Sequence, residues 1–317
     1  MNLQHNLFEA NLSRLEGRMN SPLTASKRDE SLILTSSIIS QNQATSEEAT
    51  FFHSILCQVG LPRSKVEGIS FERRCGEASL LVKAGEIWDG EKFVSQPIPY
   101  GPLPRLILSW MNTFALRNKT QEIAIGSSSS EFMKMLGKKV TGGKTGTIHN
   151  FKNQIQSLSA CSMVLGLTIE GRAHTFNGRP IKHFKAWIGQ NHDDQKSLWP
   201  RTISFSDEYY HSLCDRAVPL DIRAFSALKG SALSMDIYCW MAQRLHRING
   251  RPVLLHWTNL REQFGQEYGG KDPAKDFKKS FVKALNQALA VYPLAKVKIV
   301  KGGLLLMASP PPIPYRV

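Results

Sequence analysis

Five lysines fall within thirteen positions near the C-terminal end, Lys271, Lys275, Lys278, Lys279 and Lys283, with Asn286 one turn further on. A residue advances about 100° per position along an α-helix. That rotation puts these six side chains broadly on one side and Phe277, Phe281, Ala284, Leu285 and Ala288 on the other. Only two acids, Asp272 and Asp276, share the stretch, both in the expected first turn. A face that merely solubilises a helix pairs opposite charges at i,i+4, whereas this one is nearly all ammonium. A row of ammonium groups can neutralise the phosphates of a polyanion, and an amide beside it can read a base edge. An ordinary solvated face is the competing reading.

Two further groups carry the same chemistry. Val297 and Ile299 alternate with Lys296 and Lys298 before a turn at Lys301-Gly302-Gly303, so the strand expected here has one apolar and one basic face. Such a strand can lie along a phosphate backbone, or simply face solvent. Earlier in the chain, Thr147 to about Ala160 reads as a helix with Ile148, Phe151, Ile155 and Leu158 inward. His149, Lys152, Asn153 and Gln156 then point outward, with Lys144 in the loop before them. These amides either read base edges or are wet.

The charge distribution agrees. The 317 residues carry a formal charge of +14, and residues 231–317 alone hold 13 basic and 5 acidic side chains. Residues 1–90 hold 9 basic and 11 acidic ones. Localised positive charge attracts polyanions over a Debye length of about 8–10 Å, which leaves nucleic acid or an acidic membrane surface as partner. No run approaches twenty apolar residues, so no membrane span is expected, and the N-terminus lacks the pattern of a signal peptide. The five cysteines are scattered and never spaced C-x-x-C. That argues for a reducing, cytoplasmic setting and against a zinc site.

Other motifs fail on inspection. Gly142-Gly143-Lys144-Thr145 resembles the end of a phosphate loop, but Lys138 stands where the first glycine belongs. His192-Asp193-Asp194 sits in a polar run without a partner at ligand spacing. Tyr209 and Tyr210, imaginable as nucleophiles for strand nicking, have no metal-binding cluster near them and read as core. The chain is therefore expected not to be an enzyme, with no catalytic residue, metal or cofactor.

The elements that must position these residues follow from periodicity. Residues 1–45 read as a mobile arm with a short helix around Leu7–Leu15. Ser46-Glu47-Glu48 opens a helix ending near Gly60. Ala78–Lys83 and Glu86–Val94 read as strands, the second bent at Asp89-Gly90. An internal repeat then emerges. Its first copy is a helix from Leu103 to about Asn118, a strand Gln121–Ile125, a short helix Ser129–Leu136 ended by Gly137, the helix Thr147–Ala160 and strand residues Met163–Ile169. The second is a helix Ser234–Ile248, a strand Val253–His256, a helix Asn259–Phe264 ended by Gly265, a helix Asp272–Val291 and a hairpin Lys296–Ala308. Gly142-Gly143-Lys144 and Gly269-Gly270-Lys271 lie 127 residues apart, and Gly137 and Gly265 lie 128 apart. Helix, strand, short helix, longer helix and hairpin is the order of a winged-helix module. The expected fold is α+β with tandem winged-helix (helix-turn-helix) domains: an arm over 1–45, a first domain over 46–205 and a second, the main DNA-binding domain, over 206–317. Lys182–Trp187 and Arg201–Phe205 read as strands of the first module's sheet or as a linker.

Several patches carry a family resemblance. Ile98-Pro99-Tyr100-Gly101-Pro102-Leu103-Pro104-Arg105-Leu106-Ile107-Leu108-Ser109-Trp110-Met111-Asn112 resembles the signature of RepA-type plasmid replication initiators. Ala217–Asp221, Ser234–Ala242, Trp257, Phe264-Gly265 with Glu267-Tyr268, and Ser309-Pro310-Pro311-Pro312 are similar to further patches of that family in the same order. The resemblance spans roughly residues 65–312. It implies a protein that binds repeated sites (iterons) in double-stranded DNA at a plasmid origin, helps open the duplex and recruits a host replication initiator and the replicative helicase. It also implies a homodimer in equilibrium with monomer, the dimer repressing its own promoter and the first module serving dimerisation. DNA contact carries over to Lys275, Lys278, Lys279 and Lys283, and to Lys144 and Lys152. A winged-helix transcriptional repressor without an initiation role, a strand-nicking relaxase and a purely partner-binding protein are the alternatives.

Overall fold

The computed structural model describes residues 27–142, 146–183 and 202–314. The chain opens with α1 (Lys27–Gln41), β1 (Ala49–His53) and α2 (Ser54–Val59). Two hairpins follow, β2 (Ser70–Cys75) with β3 (Ala78–Lys83) and β4 (Glu86–Trp88) with β5 (Phe93–Ser95). Next come α3 (Pro102–Asn118), β6 (Glu122–Ala124), α4 (Ser129–Met135), α5 (Thr147–Ala160), β7 (Ser162–Ile169) and β8 (Arg172–Gly178). After these run β9 (Ile181–His183), β10 (Thr202–Phe205), α6 (Asp207–Arg216), β11 (Ala217–Asp221) and α7 (Ile222–Ala227). The last elements are α8 (Ala232–Arg244), β12 (Val253–His256), α9 (Trp257–Phe264), α10 (Pro273–Ala290), β13 (Val297–Val300) and β14 (Gly303–Leu306).

Two compact units divide this mixed helix-and-strand chain. A central unit runs from Val59 to Ala217, and a terminal unit joins the residues up to Gln58 to those from Val218 onward. This division differs from the boundary expected at 205, because residues 46–58 belong with the C-terminal half. β1 pairs with β11, and the Gln263 side-chain amide donates to the Gln58 carbonyl at 2.6 Å. Helix α6, expected in the second domain, belongs to the central unit, where the Tyr209 hydroxyl donates to Asn112 Oδ1 at 3.2 Å.

Two local expectations are corrected in the terminal unit. The helix expected from Ser46 to Gly60 is a strand, β1, turning into the short α2. β-branched Thr50 and aromatic Phe51 and Phe52 suit a paired strand better than a helix, and β11 supplies the partner. Residues 27–41 of the expected arm form α1, with Leu32 and Ser36 buried. Ser36 Oγ donates to the Ala290 carbonyl at 2.6 Å, serving one of the orphan carbonyls at the end of α10. The helix expected around Leu7–Leu15 lies outside the described residues.

The repeat is visible as packing. In the central unit the Trp110 ring meets Phe132 edge-on (4.9 Å, 72°), and Phe132 meets Phe151 (5.6 Å, 75°). In the terminal unit Trp240 meets Phe264 (5.6 Å, 79°), and Phe264 meets Phe281 (5.5 Å, 52°). Each series runs from the first helix of the copy through the short helix to the longer one, over offsets of 130, 132 and 130 residues. Offset and edge-to-face rings of this kind are a favourable core arrangement.

The sheets match in order too. β12, β14 and β13 form a three-stranded antiparallel sheet, and so do β6, β10 and β9. In both, the strand that precedes the short helix pairs with the second strand of the closing hairpin. The hairpin of the first copy is therefore β9–β10, not a strand at Met163–Ile169. β7 and β8 are inserted ahead of it and extend β2–β3 into a separate four-stranded sheet.

Candidate nucleic-acid interface

α10 begins at Asp272, whose carboxylate accepts from the Lys275 backbone N–H at 3.1 Å, with Pro273 at the first helical position. Phe277, Phe281, Ala284, Leu285 and Ala288 are buried, which fixes the rotation of the helix. Lys275, Lys278, Lys279 and Lys283 stand exposed on its other side, and Lys271 is exposed just before the cap. Asn286, expected outside, is half-buried, because past Lys283 the helix runs into the body of the unit. There Gln287 accepts from Ser234 Oγ on α8 at 2.7 Å in a buried contact.

Three parts meet at one residue, Trp257. It opens α9, and its backbone N–H donates to the Gly302 carbonyl in the turn of the β13–β14 hairpin at 3.1 Å. Lys278 Nζ lies over the face of its ring, 4.8 Å from the centroid. The Phe281 ring meets the same indole at 6.1 Å and 86°. The long helix, the start of the short helix and the hairpin turn therefore form one continuous surface, carrying Lys278 and the exposed Lys301. Gly303 is required where the hairpin leaves this turn, since a Cβ there would sit 2.0 Å from the Leu255 carbonyl of β12.

The hairpin lysines divide. Val297 is buried and Lys301 is exposed at the turn, but Lys296 and Lys298 are half-buried. Lys298 shares a cross-strand row with Leu305 and the exposed Leu254, so the face expected to be basic is partly apolar. Ile299, expected on a covered face, is 41% exposed because the core stops short of the hairpin tip.

In the central unit, α5 exposes His149 and Asn153 and half-buries Lys152 and Gln156. Phe151, Ile155 and Leu158 are buried as their spacing demands, while Ile148, also expected inward, is half-buried in the first turn. Gln154 is also buried, its side-chain oxygen accepting from the Tyr100 N–H at 2.9 Å. Lys144 and the His192-Asp193-Asp194 run lie outside the described residues.

Sequence reasoning missed Trp257 as a member of the surface, although the residue stood out in the patches, since its contacts to residues 278 and 302 arise only on folding. Among the described residues no cluster of acids, histidines and cysteines could hold a metal ion, and no helix is long and apolar enough to cross a membrane.

Comparison with known proteins adds two findings. A family model described as plasmid encoded RepA protein matches residues 98–258, from the approach to α3 to the first two residues of α9. Among solved structures, the chain is similar to SeMet derivatives of domain 2 and domain 3 of RctB, with a TM-score of 0.46, 10% identity, and 80% of this chain and 98% of that chain covered. It is also similar to the RctB domains 2-3, RctB-155-483, with a TM-score of 0.44, 12% identity, and 80% and 94% covered. A search of the curated proteins finds no match.

Proposed function

The chain belongs to the family of plasmid-encoded RepA proteins, which are replication initiators, and from that premise we propose that it starts plasmid replication by gripping repeated double-stranded sites (iterons) at the origin. Binding helps open the duplex and recruits a host initiator and the replicative helicase. The protein equilibrates between homodimer and monomer. It makes and breaks no covalent bond, so it is not an enzyme and needs no metal or cofactor.

In this reading α8, β12, α9, α10 and the β13–β14 hairpin are a winged-helix module, and α9 with α10 is its helix-turn-helix. α10 enters a major groove while Lys275, Lys279 and Lys283 reach flanking phosphates. Lys301, at the tip of the wing, touches the neighbouring backbone. The observation that carries this is the row of exposed lysines on α10, joined to the wing turn through Trp257. Each phosphate neutralised releases condensed counterions, so affinity falls with salt by about 0.9 log units per contact per decade. The central unit, with the same order of elements and fewer exposed cations, supplies an auxiliary contact through His149, Asn153 and Lys152.

Footprinting with the pure protein on the repeats beside its own gene tests the reading. Protection of each repeat, lost steeply as salt rises, is the expected result. No protection at any repeat overturns it.

A further inference from the structure

We infer that Trp257 and Lys278 form a phosphate-binding latch within the DNA surface: in the free protein the ammonium rests on the indole face, and on the bound duplex it moves to a backbone phosphate, the indole shifting with its release so that its screened N–H is uncovered and donates to the same phosphate. This inference rests on the DNA-binding reading above.

Three observations converge on it. First, Trp257 Nε1 is screened from solvent and has no hydrogen-bond partner. A buried donor without an acceptor is destabilising, and such groups in native proteins call for an explanation. Second, Lys278 Nζ sits 4.8 Å from the centre of the same ring. A cation–π contact at a partly exposed site is weaker than a charge-assisted hydrogen bond to phosphate, so a phosphate oxygen can draw the ammonium away. Third, the placement is right. Trp257 donates its backbone N–H to Gly302 in the wing turn, and Lys278 stands on the long helix between Lys275 and Lys279. A phosphate reaching Lys278 thus comes to Trp257, the residue that joins the helix to the wing turn.

The indole carries no charge, so its contribution differs in kind from that of the lysine. Replacing Trp257 by Phe keeps a ring for Lys278 and for Phe281 but removes the N–H. Replacing Lys278 by Met keeps the stem over the ring but removes the charge. Titration of an origin-repeat duplex at several salt concentrations separates the two. Trp257→Phe is expected to weaken binding roughly five- to tenfold without changing the salt slope. Lys278→Met is expected to weaken binding and to reduce the slope by about 0.9.

Tryptophan emission follows the release directly. The wild-type minus Trp257→Phe difference spectrum isolates this indole among the six tryptophans. It is expected to change when DNA is added, and Lys278→Met is expected to show the altered emission before DNA is present. If the wild-type protein binds no duplex, the functional reading and the latch fall together. If it binds, and Trp257→Phe binds equally well with a difference spectrum indifferent to DNA, the latch alone is overturned.

Discussion

The long helices of the two copies, α5 and α10, hang on matching aromatic series yet expose side chains of very different charge. On α10 the exposed lysines run from Lys275 to Lys283. Burial itself is the same, since Phe151–Ala160 and Phe281–Ala290 are covered position for position, with Gln156 and Asn286 half-buried. The difference lies in the side chains and in length: α5 exposes Thr147, His149, Asn150 and Asn153, and α10 begins a turn earlier, at Pro273. The neighbours differ as well. α5 is clasped by β4 and β9 as well as by α3 and α4, whereas α10 packs on α8 and α9 with α1 at its end. The short helices differ as well. The α4 N-terminus is closed by its own residues, with Ser128 Oγ accepting from the Glu131 N–H at 3.1 Å. Glu131 in turn accepts from both the N–H and the hydroxyl of Ser127 at 2.6 Å. α9 starts at His256 with no side-chain cap and no acid in its first turn. An acid-sealed helix start repels a phosphate and an open one admits it. One repeat thus carries two surfaces, a lysine-lined helix in the terminal unit and a helix that exposes mainly neutral polar residues in the central unit.

The strongest way to break this comparison is to strip charge from each helix in turn. Lys275→Ala, Lys279→Ala and Lys283→Ala together are expected to weaken binding to an origin repeat roughly a thousandfold, with the salt slope falling by about 2.7 for three phosphate contacts. His149→Ala, Lys152→Ala and Asn153→Ala together are expected to cost less than about fivefold. Equal losses measured by mobility shift would erase the distinction, and a larger loss from the central helix would invert it.

The aromatic series gives the next largest effect and sharpens the likeness rather than the difference. Phe151 and Phe281 are both fully buried and hold matching places. Truncation of either to Ala is expected to destabilise its unit by about 3 kcal/mol through lost burial and an unfilled cavity. Urea denaturation reads this. A Phe151→Ala cost near zero would show that the central copy does not use the ring as the terminal copy does.

These contrasts were legible in the sequence to different depths. Thr147–Ala160 reads as a helix because apolar residues recur at helical spacing, and the structure places it over those residues. α10 likewise presents its lysines opposite its phenylalanines. The clasping of α5 could not be read, because β4 and β9 lie far from it in sequence and their arrival is a tertiary event. The hairpin of the first copy was obscured for a related reason. The inserted β7–β8 pair occupies the position in sequence where the closing hairpin of the copy belongs, and only pairing with β6 identifies β9–β10 as that hairpin. α1 was hidden because its apolar residues, Leu32, Ile33, Leu34, Ile38 and Ile39, are spread around the helix among as many Ser and Thr and form no single stripe. Half-burial of Lys298 follows from Leu254 and Leu305, cross-strand neighbours invisible to a one-strand alternation.

The tether at the end of α10 gives a smaller test. α1 holds this end through the Ser36 hydroxyl on the Ala290 carbonyl, whereas α5 ends by passing directly into β7, with the Cys161 N–H on the Ser157 carbonyl at 3.0 Å. Ser36→Ala is expected to cost about 1–2 kcal/mol by stripping a buried carbonyl of its donor. Hydrogen exchange at the last turn of α10 is expected to quicken while α5 is unchanged. Uniform quickening along both helices would mean that the contact is not local.

The capped start of α4 gives the smallest effect and the one whose sign pH can decide. Hydrogen bonds from the Ser127 hydroxyl and then from its backbone N–H hold the Glu131 carboxyl below its ordinary value, helped by nearby Lys134. A carboxyl held low in the folded state is more easily deprotonated there than in the unfolded chain. Its contribution is therefore present above the unfolded value of about 4.3–4.5 and fades as pH falls through the lower folded value. Glu131→Gln is thus expected to reduce stability slightly at pH 7 and to match the wild type near pH 3. Because the central unit's proposed contacts lie on α5 and not on α4, the same substitution is expected to leave duplex affinity unchanged. Tighter DNA binding by Glu131→Gln would mean that this acid stands close to phosphate, and that the central unit's helix-turn-helix lies on the duplex as the terminal one does.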